Sequence, residues 1–264
     1  MAEILRLAAF TDTPDGGNPA GVVLDAAGLS AAEMQAIAAE VGYSETAFVD
    51  GHAIRYFSPA AEVPFCGHAT IATGVALGDG DYTFATQSGP VAVEVADGAA
   101  TLTSVEPRVL DPEPGDVEDV LGALGWSEAD LDPALPPRVG FAGAFHLILG
   151  IADRTRLASL DYDFDRLRER MVERDWITVA LMHRSGPDTF DARNAFAFGG
   201  VVEDPATGAA AAAFGGYLRA LGLVAPPAEI TIRQGDDMGR PSLLTVQIPA
   251  AGGIGVRGRA VAIP

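Results

Sequence analysis

The chain contains no lysine; all 17 of its basic residues are arginine. That absence removes two large enzyme classes. A pyridoxal-phosphate enzyme needs a lysine for its Schiff base, and a P-loop NTPase needs one against its phosphates. Alanine, glycine, proline and arginine are all abundant, so the missing lysine itself reads as compositional bias. Cysteine is almost as scarce, with Cys66 alone. No intramolecular disulfide can form, which suits a reducing, cytoplasmic compartment. A racemase working with two thiols is excluded by the same count. Positive charge is short altogether, since 36 acids against 17 bases leave a net charge of −19. Nucleic acid, whose binding rests on cations neutralising phosphates, is not an expected partner. Neither is an anionic membrane surface.

Other signatures are missing as well. There is no run of eighteen apolar residues to span a membrane. Met1–Arg6 lacks the basic region, apolar stretch and small-residue cleavage site of a signal peptide, so none is expected. No Gly-x-Ser-x-Gly elbow occurs, and no Gly-x-Gly-x-x-Gly follows a strand into a helix. Hydrolase and dehydrogenase readings therefore lack their motifs.

What remains is 264 residues, nearly half of them hydrophobic, enough for one large domain or two of about 100–150 residues. Short strands are expected near residues 4–10, 21–24, 46–49 and 53–57. Ser30 and Glu33 form a capping box ahead of Met34, Ile37, Ala38 and Val41, which places a helix there. A second helix should begin at Gly67 or His68 and stop before Gly78-Asp79-Gly80. Strands resume at residues 82–85, 91–95 and 100–104. Proline and glycine between Glu106 and Gly115 suggest a boundary, dividing the chain into an α+β domain over 1–110 and a second over 111–255. The last strand, about 256–263, is free to return to the first domain. The second half carries a helix near 117–124 and strands near 145–151, 176–182, 189–196, 229–233 and 243–248. A long Ala-rich helix is expected over about 206–221.

The halves echo each other. Aligning Ala69-Thr70 with Ala206-Thr207 puts Gly67 opposite Asp204 and Cys66 opposite Glu203. Two similar domains would then present two matched helix starts to one cleft. Gly67, Ala69, Gly208 and the alanines 209–213 leave these starts bare. Small side chains let an anionic ligand reach the free backbone N–H groups, where the helix dipole favours it; they equally permit tight helix packing. Glu45 enters an apolar strand, and a buried carboxylate is costly unless paired or used as an acid–base group. A strand-edge glutamate facing solvent is the alternative. His68 opens a helix, where a neutral imidazole can hydrogen-bond a substrate or pass a proton; a satisfied structural histidine would look the same. Asp204 before Pro205 reads as an N-cap with proline at the first helical position. Arg240, in the Gln234–Ser242 turn, is expected to pair with the aspartates beside it. No metal is expected: Cys66-Gly67-His68 with Glu62 has no recognised ligand spacing, and His52, His146 and His183 are scattered.

Taken in order, several stretches resemble the PhzF family of phenazine-biosynthesis-like proteins, which has the diaminopimelate-epimerase fold. They are Ala9-Phe10-Thr11-Asp12, Gly17-Asn18-Pro19-Ala20-Gly21-Val22 and Ser44-Glu45-Thr46-Ala47-Phe48. Arg55 to Thr70, Glu203 to Gly208 and the Gln234–Ser242 turn follow; the section from about Glu106 to Arg193 matches only loosely. The resemblance implies two similar α+β domains, each a central helix wrapped by a curved, mostly antiparallel sheet. It also implies a homodimer, no metal or organic cofactor, and a small carboxylated substrate. Glu45 takes the proton-moving role in that comparison, assisted by His68 and Asp204. Asn18, Ser44, Gly67, Gly208 and Ala209 fall at substrate-binding places. Related epimerases carry two cysteines at the two helix starts, here assigned to Gly67 and Asp204. Ala209 is a departure, because the family often has serine there. An isomerase or epimerase is the resulting expectation. A racemase acting on an acyclic substrate and a binding protein without turnover are the rivals, and deuterium exchange separates them.

Overall fold

The computed structural model describes residues 2–264, which form two compact units. The first takes the chain up to Thr103 together with Gly239–Leu243 and Arg257–Pro264. The second takes Ser104–Met238 and Leu244–Val256. Among the described residues no helix is long and apolar enough to cross a membrane.

The first unit runs β1 (Leu5–Ala9), β2 (Asn18–Val23), α1 (Ala31–Val41), β3 (Glu45–Asp50), β4 (Ala53–Phe57) and β5 (Glu62–Val63). It continues through α2 (Gly67–Leu77), β6 (Gly80–Thr86), β7 (Gly89–Ala96) and β8 (Ala99–Thr103). The capping box at α1 forms as the sequence predicts: Glu33 N–H donates to Ser30 Oγ, and Ser30 N–H donates to Glu33 Oε2 at 2.8 Å. Gly42, with φ +71°, ends the helix in the left-handed region that glycine tolerates. One turn apart, Met34 and Ala38 face Val23, Phe48 and Phe57. α2 is different in kind. Every residue from His68 to Gly74 is buried, because strands β1, β2, β3, β7 and β8 pack around it. A Cβ on Gly74 would lie 3.0 Å from Val93 Cγ1 and 3.2 Å from Ala100 Cβ, so the glycine sets how closely the sheet approaches.

The second unit opens with β9 (Arg108–Leu110), α3 (Asp116–Leu124), β10 (Arg138–Phe141), β11 (Phe145–Gly150), α4 (Arg154–Ala158) and α5 (Phe164–Arg174). Next come β12 (Trp176–Arg184), β13 (Thr189–Ala195), β14 (Glu203–Asp204), α6 (Gly208–Ala220), β15 (Ala228–Gln234) and β16 (Ser242–Ile248). The last strand, β17 (Gly255–Ala262), pairs antiparallel with β1, Leu7 opposite Ala262.

Each unit repeats one pairing pattern. β1–β2 is antiparallel, β2–β3 parallel, β3–β4 and β4–β5 antiparallel, and β4–β6 parallel. β10–β11 is antiparallel, β11–β12 parallel, β12–β13 and β13–β14 antiparallel, and β13–β15 parallel. α2 follows β5 as α6 follows β14. Parallel neighbours need a crossover segment; α1 supplies it in the first unit, and α4 and α5 in the second.

The structure corrects three expectations. The Ala-rich helix begins at Gly208 with Thr207 as its N-cap, so Asp204 is not the cap. Asp204 stays extended because it pairs with Asn194 of β13. The echo between the halves is therefore shifted by four residues. Glu62-Val63-Pro64-Phe65-Cys66-Gly67 matches Glu203-Asp204-Pro205-Ala206-Thr207-Gly208, and the two helix-start positions are Cys66 and Thr207 rather than Gly67 and Asp204. Finally, Ala210–Ala213 are no more than 4% exposed. Those alanines serve packing, as does Gly215, whose Cβ would meet Val246 and Ile254 inside 3 Å.

Candidate active site

In the first unit, Glu45 is the first residue of β3 and His68 the second of α2. Their side chains meet, with His68 Nε2 3.5 Å from Glu45 Oε2. Cys66 sits between them. Its thiol donates to Glu45 Oε2 at 3.6 Å, and its sulfur lies 3.3 Å from His68 Nδ1. Ser44 Oγ is 3.3 Å from His68 Nε2. The sequence singled out Glu45, His68 and Ser44 but gave Cys66 no part in the chemistry. A separation of 21 residues between Glu45 and Cys66 leaves no local signal for their contact.

The backbone beneath this group is held firmly. Arg55 grips Glu62 with two hydrogen bonds of 2.7 Å, a fork-to-fork pair that fixes β4 to β5. That guanidinium holds the Glu62 carboxyl below the usual range. From β5 the chain reaches Cys66, whose carbonyl accepts from Thr70 Oγ1 at 2.6 Å. Thr70 in turn accepts from Tyr56 at 2.6 Å, and burial raises the Tyr56 hydroxyl so that it stays protonated. No side chain caps the N-terminus of α2. A Cβ on Gly67 would make only ordinary contacts, the nearest at 3.8 Å, so packing does not demand glycine there. Asn18 is 2% exposed at the start of β2, whose parallel register sets Ala20 beside Glu45.

Arg240 does not pair with aspartates. Its guanidinium donates to the carbonyls of Gly16 (2.6 Å) and Gly17 (2.8 Å), while Gly17 N–H donates to Pro241. Gly17 has φ +64°, and a Cβ there would fall 2.3 Å from the Ala9 carbonyl. The turn thus clamps the glycines that deliver Asn18.

In the second unit, Asp204 Oδ2 accepts from the Thr207 hydroxyl at 2.6 Å. Gln234 Nε2 donates to the Asp204 carbonyl at 2.7 Å and to Thr207 Oγ1 at 3.1 Å, and its Oε1 accepts from Thr207 N–H. The sequence read Gln234 only as the edge of a turn. Gly208 is buried, Ala209 is half-buried, and no side chain caps α6. Arg193 and Glu203 repeat the Arg55–Glu62 fork at 2.9 and 2.5 Å, this time buried.

Comparison with known proteins identifies the family. The family model for phenazine biosynthesis-like proteins (PhzC–PhzF) matches residues 7–263. The chain is 31% identical to an uncharacterized isomerase, YfhB, of Bacillus subtilis over 96% of this chain and 92% of that one. It is 34% identical to trans-2,3-dihydro-3-hydroxyanthranilate isomerase of Pseudomonas chlororaphis, covering 92% and 89%. The crystal structure of a PhzF-family protein of Bacillus anthracis superposes with a TM-score of 0.89 at 26% identity, over 100% of this chain and 97% of that one. With matches that run almost end to end, this chain belongs to the phenazine biosynthesis-like family and is one of its isomerases.

Proposed function

We propose that the protein moves a proton between two carbons of a small carboxylated metabolite, without a cofactor. Glu45 takes a proton from a carbon made acidic by a neighbouring unsaturated or carboxylated group, and the electron pair delocalises into that group. Glu45 then returns the proton to a different carbon. Bonds and charge balance, and no oxidant or reductant is required. His68 orients the substrate and passes protons to it. The uncapped N–H groups at Gly67 take the carboxylate. In the second unit, Asp204 with Gly208 and Ala209 offers a second carboxylate and uncapped helix start for substrate. One observation carries the reading: Glu45 Oε2 lies within 3.6 Å of both His68 and Cys66 at an uncapped helix start.

The rival chemistry is racemisation at one carbon, which uses a second ionisable group on the opposite face. The place corresponding to Cys66 in the second unit is Thr207, whose hydroxyl donates to Asp204. A threonine hydroxyl is no base at neutral pH, so racemisation by two thiols is not open to this chain. The Pseudomonas chlororaphis relative is named for a dihydro-hydroxyanthranilate; cyclic amino-carboxylates of that class are therefore the first substrates to try. Incubation in deuterated water tests the reading. Deuterium should enter at a new carbon and fail to enter with Glu45→Gln. Full exchange in that variant would remove Glu45 from the mechanism.

A further inference from the structure

Gln234 ends β15 and is 1% exposed, yet both polar atoms of its side chain are used at the start of α6. Nε2 donates to the Asp204 carbonyl at 2.7 Å and to Thr207 Oγ1 at 3.1 Å, and Oε1 accepts from Thr207 N–H at 3.2 Å. The amide fits only one way round. Turned over, its oxygen would face the Asp204 carbonyl and its nitrogen the Thr207 N–H, two repulsive contacts in place of two hydrogen bonds. An amide nitrogen accepts nothing, so the Thr207 hydroxyl receives a hydrogen bond from it and places its own proton elsewhere. That proton goes to Asp204 Oδ2, 2.6 Å away. The chain of bonds has one direction, from Gln234 through Thr207 to the carboxylate.

We propose that Gln234 is a positioning residue for Asp204: it turns the Thr207 hydroxyl onto the carboxylate and so holds Asp204 ionised and aimed. The inference rests on the reading above that Asp204 works on the substrate. A hydroxyl donating to a carboxylate favours the charged form. A threonine at a helix N-cap ordinarily accepts from an N–H of the first turn. Thr207 does not, because its oxygen is engaged by Gln234 instead.

The first unit places a different residue there. Arg55 corresponds to Arg193, so Ala53 corresponds to Asp191, and their parallel neighbours Ala85 and Arg233 correspond too. Thr86 then stands where Gln234 does, and its hydroxyl donates to the Gly89 carbonyl of its own hairpin at 2.7 Å. Strand alternation also separates Asp204 from the other charges nearby. Asp204 shares a face with Asn194, Ala192 and Gln234 through the pairs Asn194–Asp204 and Ala192–Gln234. Asp191, Arg193, Glu203, Glu229 and Arg233 take the opposite face, where Arg193 pairs with Glu203 and Asp191 meets Arg154. His146 is joined to Asn194 through Thr178, and burial keeps its imidazole neutral. The titratable groups of α6, Tyr217 and Arg219, lie in its second half, where Tyr217 donates to the Pro136 carbonyl.

A carbon-13 titration of the aspartate carboxyls in the full-length protein, without substrate, tests the proposal; Asp204→Asn identifies the resonance. In the wild type the Gln234 side-chain amide protons should shift with the Asp204 midpoint, and no response in them would overturn the proposal whether or not any variant folds. Gln234→Met and Thr207→Val should each raise that midpoint by about one pH unit. The double variant should raise it no further, since both act through one hydrogen bond, and Thr207→Ser should leave it unchanged. An unmoved midpoint in Gln234→Met, shown by circular dichroism to be folded, would overturn the proposal, as would shifts that add. With trans-2,3-dihydro-3-hydroxyanthranilate, the compound for which the Pseudomonas chlororaphis relative is named, Gln234→Met should lower kcat by up to about 10²-fold with little change in KM. A wild type that exchanges no deuterium with it would count against the isomerase reading, while the titration still decides the role of Gln234.

Discussion

The two units share a scaffold but divide the polar groups differently, and the shared pairing fixes which residues correspond. Arg55 and Arg193 each grip the glutamate of a two-residue strand, Glu62 and Glu203, and this fork anchors the comparison. From it, Phe57 corresponds to Ala195, opposite Thr46 and Val179 in the neighbouring strands. One step back, Glu45 corresponds to Thr178. Its parallel-strand neighbours Ala20 and His146 correspond too. The carboxylate proposed as the base in the first unit is thus replaced in the second by a closed chain. Thr178 donates to Asn194 at 2.9 Å and accepts from His146 Nδ1 at 2.8 Å, all of it buried. The duplicated strands keep geometry. At this strand position one copy carries an ionisable carboxylate and the other a buried hydrogen-bonded chain.

The sharpest way to test that division is to disable each copy in turn. Glu45→Gln should lower the rate of carbon–deuterium exchange by about 10²–10⁴-fold, the range for a lost general base. Thr178→Val should leave the rate within a few-fold, yet cost about 1–3 kcal/mol in urea unfolding, because His146 and Asn194 lose a buried partner. Equal loss of activity in both variants would end the asymmetry.

The paired forks come next. Arg193→Met strands the Glu203 carboxylate in the interior and should cost about 3–5 kcal/mol. Arg55→Met removes a half-exposed pair, with side chains 35% and 24% exposed, and should cost about 1 kcal/mol or less. Chemical denaturation of both variants decides whether burial or the repeat itself sets the value.

His146 gives the second unit a pH response that Ala20 cannot give the first. Burial alone pushes the imidazole down to about 3. Above pH 6.5, the ordinary value, folded and unfolded chains are both neutral at this position and it has no effect. Below that value only the unfolded chain takes up the proton. Stability should then fall by about 1.4 kcal/mol per pH unit until the folded value is reached. His146→Gln should remove that part of the slope, measured as unfolding free energy between pH 6.5 and 4.5. An unchanged slope would show the imidazole to be protonated in the fold.

The smallest effect contrasts helix starts. α1 is capped by Ser30 and Glu33, so Ser30→Ala should cost about 1 kcal/mol. Cys66→Ser at the uncapped start of α2 should change unfolding far less.

Local signals were readable where a helix or turn satisfies itself. The capping box at Ser30 and the glycine stop at Gly78 concern backbone groups a few residues apart. α5 went unread although it has an N-cap at Asp163, because its two buried residues, Leu167 and Met171, stand among nine others dominated by charge. Two-residue strands such as β5 and β14 have no periodicity to detect. Asp204 misled for a related reason. Asp-Pro is a good helix start locally, but sheet pairing with Asn194 keeps Asp204 extended and Thr207 takes the cap position.

By itself the sequence determined the exclusions, the helix signals and the family resemblance, because missing lysine, a single cysteine and ordered motifs need no geometry. It also marked Glu45, His68 and Asp204. Tertiary structure alone decided what stands beside them: that Cys66 contacts both Glu45 and His68, and that Thr207 corresponds to Cys66. It also decided that Arg240 holds Gly16 and Gly17. These contacts join residues brought together by strand pairing and helix burial, and their energies depend on distances that chain order does not contain.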